Sequence, residues 1–216
     1  MIPANTTRTL LEGISGNPGI LTTRSRLRVR PLWYNGLRCG QVFFDPHDSA
    51  LEYHVIPHDP YFSYIETRGL RIDVDSSGAP VFVEVNLPFL RPKVLGSLQI
   101  PAFTELCRHR FLDFPIQIAP PRVAVNCDKS LYHIRFSRLA PCERWSFAPG
   151  GIWELDSESC VVGLWLYDII SDPSRAKRMA WRAGTWQAYR QGRTEELESL
   201  YSRPERGWLS PPKIFT

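Results

Sequence analysis

The five cysteines, Cys39, Cys107, Cys127, Cys142 and Cys160, are scattered with no C-x-x-C pair, so the ligand spacing of a zinc cage or a thioredoxin-like redox site is missing. Reduced thiols are expected. No run approaches the roughly 18 apolar residues of a membrane span, and the opening MIPANTTRTLLEG has no charged n-region followed by an apolar core. A soluble, cytoplasmic protein is the expectation. There is no G-x-S-x-G, and GISGNPG is followed by neither Lys-Ser nor Lys-Thr, so a nucleophile elbow and a phosphate loop are both lacking. Cys107 and His109 are the one close Cys-His pair, and residues two apart on a helix point in different directions. No catalytic residue, cofactor or metal is assigned. A net charge of +4 with a pI of 8.9 is too mild to imply nucleic acid by itself.

What the chain does have is internal repetition. Shifting it by 81 residues aligns Val42 with Val123, Ser49 with Ser130, Pro60 with Pro141, Gly69 with Gly150, Asp75 with Asp156, Ser76 with Ser157 and Val81 with Val162. Apolar positions agree between these identities: Phe44 over Val125, Tyr53 over Ile134, Val55 over Phe136, Val74 over Leu155 and Val85 over Leu166. GQVFFDPHDSALEYHVI reads as strand, acidic turn, strand, and GLRIDVDSSGAPVFVEV repeats the pattern around Ser76-Ser77-Gly78. Each unit is expected to hold about four strands in two hairpins. The second copy ends more apolar, in CVVGLWLY, as a strand buried on both faces would.

The expected organisation is a basic N-terminal arm and strand over 1–40, a first β repeat over 41–90, a connector over 91–122, a second β repeat over 123–171, and a basic helix and tail over 172–216. A brief helix near Leu10, Leu11 and Ile14, a connector helix over Phe103–Phe111, and a C-terminal helix to about Tyr201, capped by Ser171 or Asp172 with Pro173 at its first position, complete the reading. The fold class is α+β, with two antiparallel units related by a pseudo-two-fold. Charge follows these boundaries: the five segments carry +5, −6, +3, −3 and +5, apart from Asp172 being counted with the second repeat. Both repeats are acidic and every flank is basic.

FDPHDSALEYHV followed by GLRIDVDSSGAPVFVEV resembles the small bacterial domains of domain-of-unknown-function family 2283. Phe44-Asp45, Asp48, Leu51 and Tyr53 approximate the first part of that pattern, and Gly69, Asp73, Asp75, Gly78 and Glu84 the second. The second copy keeps Asp128, Leu131-Tyr132, Gly150, Asp156 and Gly163 but has Ser159 at the turn glycine. The resemblance implies a compact β-rich domain with a helix, among families encoded beside toxin-like or phage-related genes, and no catalytic residue.

Candidate chemistry is thin. Asp45, His47, Asp48, His54, His58 and Asp59 are close in sequence, yet in a strand His54 and His58 stand roughly 13 Å apart, too far for one ion. The D-x-D at Asp73 and Asp75, like Asp156, lacks the loop of a calcium site and suits turn carboxylates. The partner signal is stronger. Arg24, Arg26, Arg28 and Arg30 alternate on one strand, and Arg175 to Arg193 holds six basic and no acidic residues beside Trp181, Trp186 and Tyr189. On the helix Arg175, Arg178, Arg182, Tyr189 and Arg193 share one side, next to a side holding Ala176, Met179, Ala180, Ala183 and Trp186. A basic helix packed on an acidic repeat has the same composition. The favoured expectation is a non-enzymatic protein-interaction module, antitoxin-like or immunity-like, acting through a protein partner or self-association and not a membrane. The rivals are nucleic-acid binding through the two basic segments and a metal-dependent hydrolase at Asp45–Asp59.

Overall fold

The computed structural model describes residues 26–32, 38–56, 59–103, 108–113, 116–171 and 174–193. In chain order the first half holds β1 (Leu27–Leu32), β2 (Cys39–Asp45), β3 (Ala50–Ile56), β4 (Tyr61–Thr67), β5 (Leu70–Asp75), β6 (Pro80–Asn86), α1 (Leu87–Leu90) and β7 (Lys93–Val94). The second half holds β8 (Arg108–Phe111), β9 (Ile116–Gln117), β10 (Arg122–Val125), β11 (Leu131–Arg135), β12 (Glu143–Ala148), β13 (Gly151–Leu155), β14 (Cys160–Tyr167), β15 (Ile169–Ser171) and α2 (Arg175–Arg190). The fold is mixed α and β, mostly strand. One sheet runs β15-β2-β3-β6-β5-β4-β9, and the other β12-β13-β14-β11-β10-β7, with β1 bridging β14 and β8.

Period-two patterning builds both sheets. In β5, Leu70, Ile72 and Val74 point inward while Arg71 and Asp73 point out, and β3 buries Leu51, Tyr53 and Val55. One buried cluster takes Tyr53, Ile65, Ile72, Val83 and Val85 from the first sheet and Ile134, Trp153, Leu164 and Leu166 from the second, so the sheets pack face to face. β14 is buried along its whole length, as CVVGLWLY anticipates, because its outer side joins a second cluster of Leu131, Ile152, Trp165 and Tyr167 against which Leu98 packs. β4 and β12 go beyond the two-hairpin plan: each lines up on the edge of a hairpin, beside β5 and β13 respectively.

Two local expectations change. Residues 108–111 form the strand β8, antiparallel to β1 with Val29 opposite Phe111, instead of the end of a helix, and 104–107 lie outside the described residues. The cap of α2 is Ser174, whose hydroxyl accepts from the Lys177 backbone N–H at 3.2 Å; Asp172 and Pro173, like the 194–201 continuation and the Leu10–Ile14 segment, lie outside the described residues. Of the aspartates expected to serve turns, Asp75 and Asp156 do so, whereas Asp73 pairs with Arg71 on the outer face of β5. Asp75 Oδ1 accepts from the backbone N–H groups of Ser77 (2.9 Å) and Ala79 (3.0 Å), and Asp156 Oδ1 from those of Glu158 (2.9 Å) and Cys160 (3.0 Å).

Tyr53 ties the sheets together. Its ring packs edge-on against Phe147, and its hydroxyl lies 3.0 Å from the carbonyls of both Ala148 and Pro149, which share its single O–H donor. Arg38 Nη1 donates to the Phe147 carbonyl at 2.9 Å beside it. Tyr53→Phe keeps the ring and removes the hydroxyl that joins the sheets, so urea unfolding is expected to show a loss of about 1 kcal/mol.

Candidate interaction groove

On the outer face of the first sheet, alternation turns Glu52 and His54 of β3, Phe82 and Glu84 of β6, and Arg71 and Asp73 of β5 away from the core. α2 lies across this face. Its buried positions, Arg178, Thr185 and Ala188, follow a helical stripe, with Trp181 half-buried between 178 and 185. The side that holds Ala176, Met179, Ala180 and Ala183 is exposed at all four, while Trp186 on it is half-buried. Trp181 meets Phe43 edge to face at 5.6 Å, and Ala188 joins Cys39 and Ile56, with Trp181, Trp186 and Tyr189 packed around them.

Arg178 fastens the helix. Its Nη2 lies 2.8 Å from Asp45 Oδ2 and its Nε 3.0 Å from Glu52 Oε2, and the residue is 7% exposed. Asp45 uses its other oxygen to close the β2–β3 turn, accepting from the backbone N–H of His47 at 2.9 Å. Burial pushes the Asp45 carboxyl up, but the turn N–H groups and Arg178 outweigh it and hold it below its ordinary value. Glu52 Oε2 is also 3.2 Å from His54 Nε2, whose ring sits among Phe43, Phe82 and Trp181. Glu84, opposite Glu52 across the β3–β6 ladder, is raised by burial and then by the Glu52 charge. Asp73 accepts from Arg71 Nε at 2.7 Å, with that guanidinium over the Tyr64 ring.

Between helix and sheet runs a groove of about 350 Å³. Phe82 and Val81 lie along it, exposed Tyr61 (53%) and Met179 (54%) stand at its sides, and Glu52 and Asp73 face Arg175 and Arg182 across it. The two walls differ in what remains free. The carboxylates are engaged by Arg178, His54 and Arg71, whereas Arg175, Lys177 and Arg182 pair with no carboxylate among the described residues.

The basic residues singled out from sequence therefore divide. Arg175 and Arg182 line the groove, Arg178 is buried beneath it, and Trp181 is half-buried beside it. Tyr189 stacks on Trp186 with ring centres 6.2 Å apart, and Arg193, exposed, follows the helix end. Arg26 forms ion pairs with Asp156 and Glu158, and Arg28 reaches Asp113 at 3.2 Å. Arg30 is exposed with Arg110 opposite it in register, and Arg24 lies outside the described residues. The Asp45–Asp59 run does not converge: Asp45 faces Arg178, His47 faces Asp48, His54 faces Glu52, and His58 lies outside the described residues. Among the described residues, no group of three or more His, Cys, Asp or Glu side chains is placed to hold a metal ion.

Sequence reading passed over the sheet wall of the groove. Glu52, Asp73 and Glu84 sit at outward positions of mid-sheet strands, where charged side chains are routine, so only their shared face marks them. It also passed over Glu154, buried on the second sheet between His133 and Arg144. A glycine inside the apolar strand CVVGLWLY was the available signal. No protein-family model matches the chain, and no curated protein matches it.

Proposed function

We propose that this chain is a non-enzymatic protein-interaction module, built from two copies of one β unit, that docks a partner in the groove between α2 and the first sheet. The duplication is supported by strand order and register. Strands β2-β3-β6-β5-β4 and β10-β11-β14-β13-β12 follow the same sequence of neighbours. Val42 pairs with Tyr53 and Val123 with Ile134; Leu51 pairs with Val85 and Tyr132 with Leu166. The β5–β6 ladder slips between Asp73 and Val74, and the β13–β14 ladder slips at the positions 81 further on, Glu154 and Leu155. A pseudo-two-fold is supported by a reciprocal exchange: β7, which follows the first unit, runs parallel to β10 of the second, and β15, which follows the second, runs parallel to β2 of the first. A single chain thereby covers edges that a lone unit would expose.

The observation that carries the interaction role is the exposure of Tyr61 and Met179 on a groove whose lining carboxylates, Glu52 and Asp73, are already paired while its lining cations Arg175 and Arg182 pair with no carboxylate among the described residues. Aromatic residues, Met and Arg are the side chains enriched at protein–protein contacts. The acidic repeats spend much of their charge internally, with Asp156 and Glu158 on Arg26, Asp73 on Arg71, Glu154 on Arg144, and Asp45 and Glu52 on Arg178. The partner is accordingly a protein presenting an apolar anchor flanked by acidic residues, in an antitoxin-like or immunity-like pairing. A reducing compartment, the cytoplasm, suits the four free thiols at Cys39, Cys127, Cys142 and Cys160. Among the described residues no helix is long and apolar enough to cross a membrane.

Photo-crosslinking from position 179 in the native host, followed by reconstitution with the purified partner, tests the proposal. Tyr61→Ala and the pair Arg175→Glu with Arg182→Glu are each expected to weaken the complex about tenfold or more. Equal affinity of wild type and these variants, or a protein that purifies as a monomer and crosslinks to nothing, overturns it. Nucleic acid is the second reading because Arg190 lies over the Trp186 ring on the same basic helix. Binding to single-stranded DNA that weakens steeply with salt would favour that reading.

A further inference from the structure

A second opening lies at one end of the sandwich, where the β2–β3 turn and the β10–β11 turn approach each other. It has a volume of about 390 Å³ and is lined by Phe44, Pro46, Asp128, Lys129, Tyr132 and Ser171. That is the size of a small-molecule site, about 300–1,000 Å³ in general. Phe44 and Tyr132 both belong to inner faces, one from each sheet, so the opening is the mouth of the hydrophobic interior. The positions 81 residues away from them are Val125 and Leu51, both buried aliphatics. The aromatic pair is peculiar to this mouth.

Tyr132 is the second observation that points to a ligand. The residue is only 2% exposed, it lines the cavity, and its hydroxyl has no hydrogen-bond partner among the described residues. Burial raises its pKa, so it stands there as a neutral phenol able to donate. At the rim, Asp128 Oδ1 accepts from the Ser130 hydroxyl at 2.8 Å and from its backbone N–H at 3.1 Å, contacts that hold the carboxyl below its ordinary value and keep it charged. Lys129, next in sequence, pairs with no carboxylate among the described residues, and its φ of 58° sets it in the left-handed region. One anion and one cation on adjacent residues, above an apolar mouth holding an unengaged hydroxyl, are complementary to a zwitterion with an apolar tail.

We infer that this mouth binds a free α-amino acid with an aromatic or aliphatic side chain. The ligand ammonium meets Asp128, its carboxylate takes Lys129 and the Tyr132 hydroxyl, and its side chain packs on Phe44 and Pro46.

Isothermal titration of the full chain with L-phenylalanine, L-leucine and L-tryptophan tests this. At least one binds saturably, while hydrocinnamate, which lacks the ammonium, and phenethylamine, which lacks the carboxylate, bind about tenfold more weakly or not at all. Asp128→Asn retains the acceptor for Ser130, and Lys129→Asn tolerates the left-handed backbone, so each is expected to cost about tenfold in affinity with an unchanged urea midpoint. Tyr132→Phe keeps the ring and is expected to weaken binding severalfold. No saturable heat from any of the three amino acids, or hydrocinnamate and phenethylamine binding as well as phenylalanine, overturns the assignment.

Discussion

Replacing Arg178 with methionine is expected to detach α2 from the sheet and to lower the unfolding free energy by about 3–5 kcal/mol, the range found when one partner of a buried ion pair is removed. The methionine keeps most of the stem, so the loss comes from charge. Asp45 and Glu52 are left facing each other's side of the interface without the guanidinium that spans them at 2.8 and 3.0 Å. The other contacts of the helix among the described residues are mostly apolar. Its buried contribution besides Arg178 is Thr185 and Ala188, with the Trp181, Trp186 and Tyr189 rings half-buried, and Thr185 satisfies its own hydroxyl on the Trp181 carbonyl at 2.7 Å. Far-UV circular dichroism is expected to lose helix signal, and limited proteolysis to cut within 175–190 while the sheets survive. Adding Glu52→Gln and Asp45→Asn to Arg178→Met removes the stranded charges and is expected to recover part of the loss. A triple variant no better than Arg178→Met would show that packing under Trp181, and not the ion pairs, secures the helix.

That dependence on Arg178 also shows where sequence ceases to inform. The strands β2, β3, β5 and β6 are legible because Ile72 and Val74 alternate with Arg71 and Asp73, and because the Asp75 turn repeats at Asp156. The helix α2 is legible as a helix. Its orientation is not: apolar periodicity nominates Ala176, Met179 and Ala183 as the packed side, whereas the buried stripe is anchored by an arginine and a threonine. The partners of the arginine, Asp45 and Glu52, lie more than a hundred residues earlier, and no local pattern encodes that meeting. β8 is obscure for the same reason. RHRF is too short to show a period, and its pairing with Val29 to Leu32 is non-local.

The candidate groove was half legible. Its cationic wall stands out as a run without acidic residues, because the helix places Arg175 and Arg182 together by local geometry. Its other wall depends on strand order. Glu52, Glu84 and Asp73 become neighbours only because β6 inserts between β3 and β5, giving the ladders Glu52 to Glu84 and Arg71 to Glu84. The charge segregation along the chain, acidic repeats between basic flanks, resolves in part inside the molecule. Arg26 takes Asp156 and Arg178 takes Asp45, while Arg175 and Arg182 on the groove pair with no carboxylate among the described residues.

Glu154 is expected to make stability fall steeply in acid. The carboxylate is almost fully buried on the outer side of the second sheet, 2.9 Å from His133 Nε2 and 3.0 Å from Arg144 Nε, while His133 lies flat on Trp165 with ring centres 3.9 Å apart. Burial pushes the carboxyl up, but hydrogen bonding to His133, its charge and Arg144 overcome this and hold it at about 2, below the ordinary 4.5. A group whose pKa is depressed by folding stabilises above its unfolded value and loses that contribution as pH falls through its folded value. The window here is pH 4.5 down to about 2, and the contribution present at neutral pH is about 3 kcal/mol. Asp45 and Asp156 are also depressed, so comparison with Glu154→Gln isolates the effect. Urea midpoints for wild type should drop more than those of Glu154→Gln between pH 5 and about 2, with the two curves converging at the acid end. Gly163 supplies an independent check, because a methyl group there collides with Glu154 Oε2 and stands 3.1 Å from His133 Nε2. Gly163→Ala must therefore displace the carboxylate from a partner on each side, and it is expected to be destabilised at pH 7 and to share the flatter acid limb of Glu154→Gln. Parallel pH curves for wild type and both variants would mean that the His133–Glu154–Arg144 cluster contributes no net charge stabilisation.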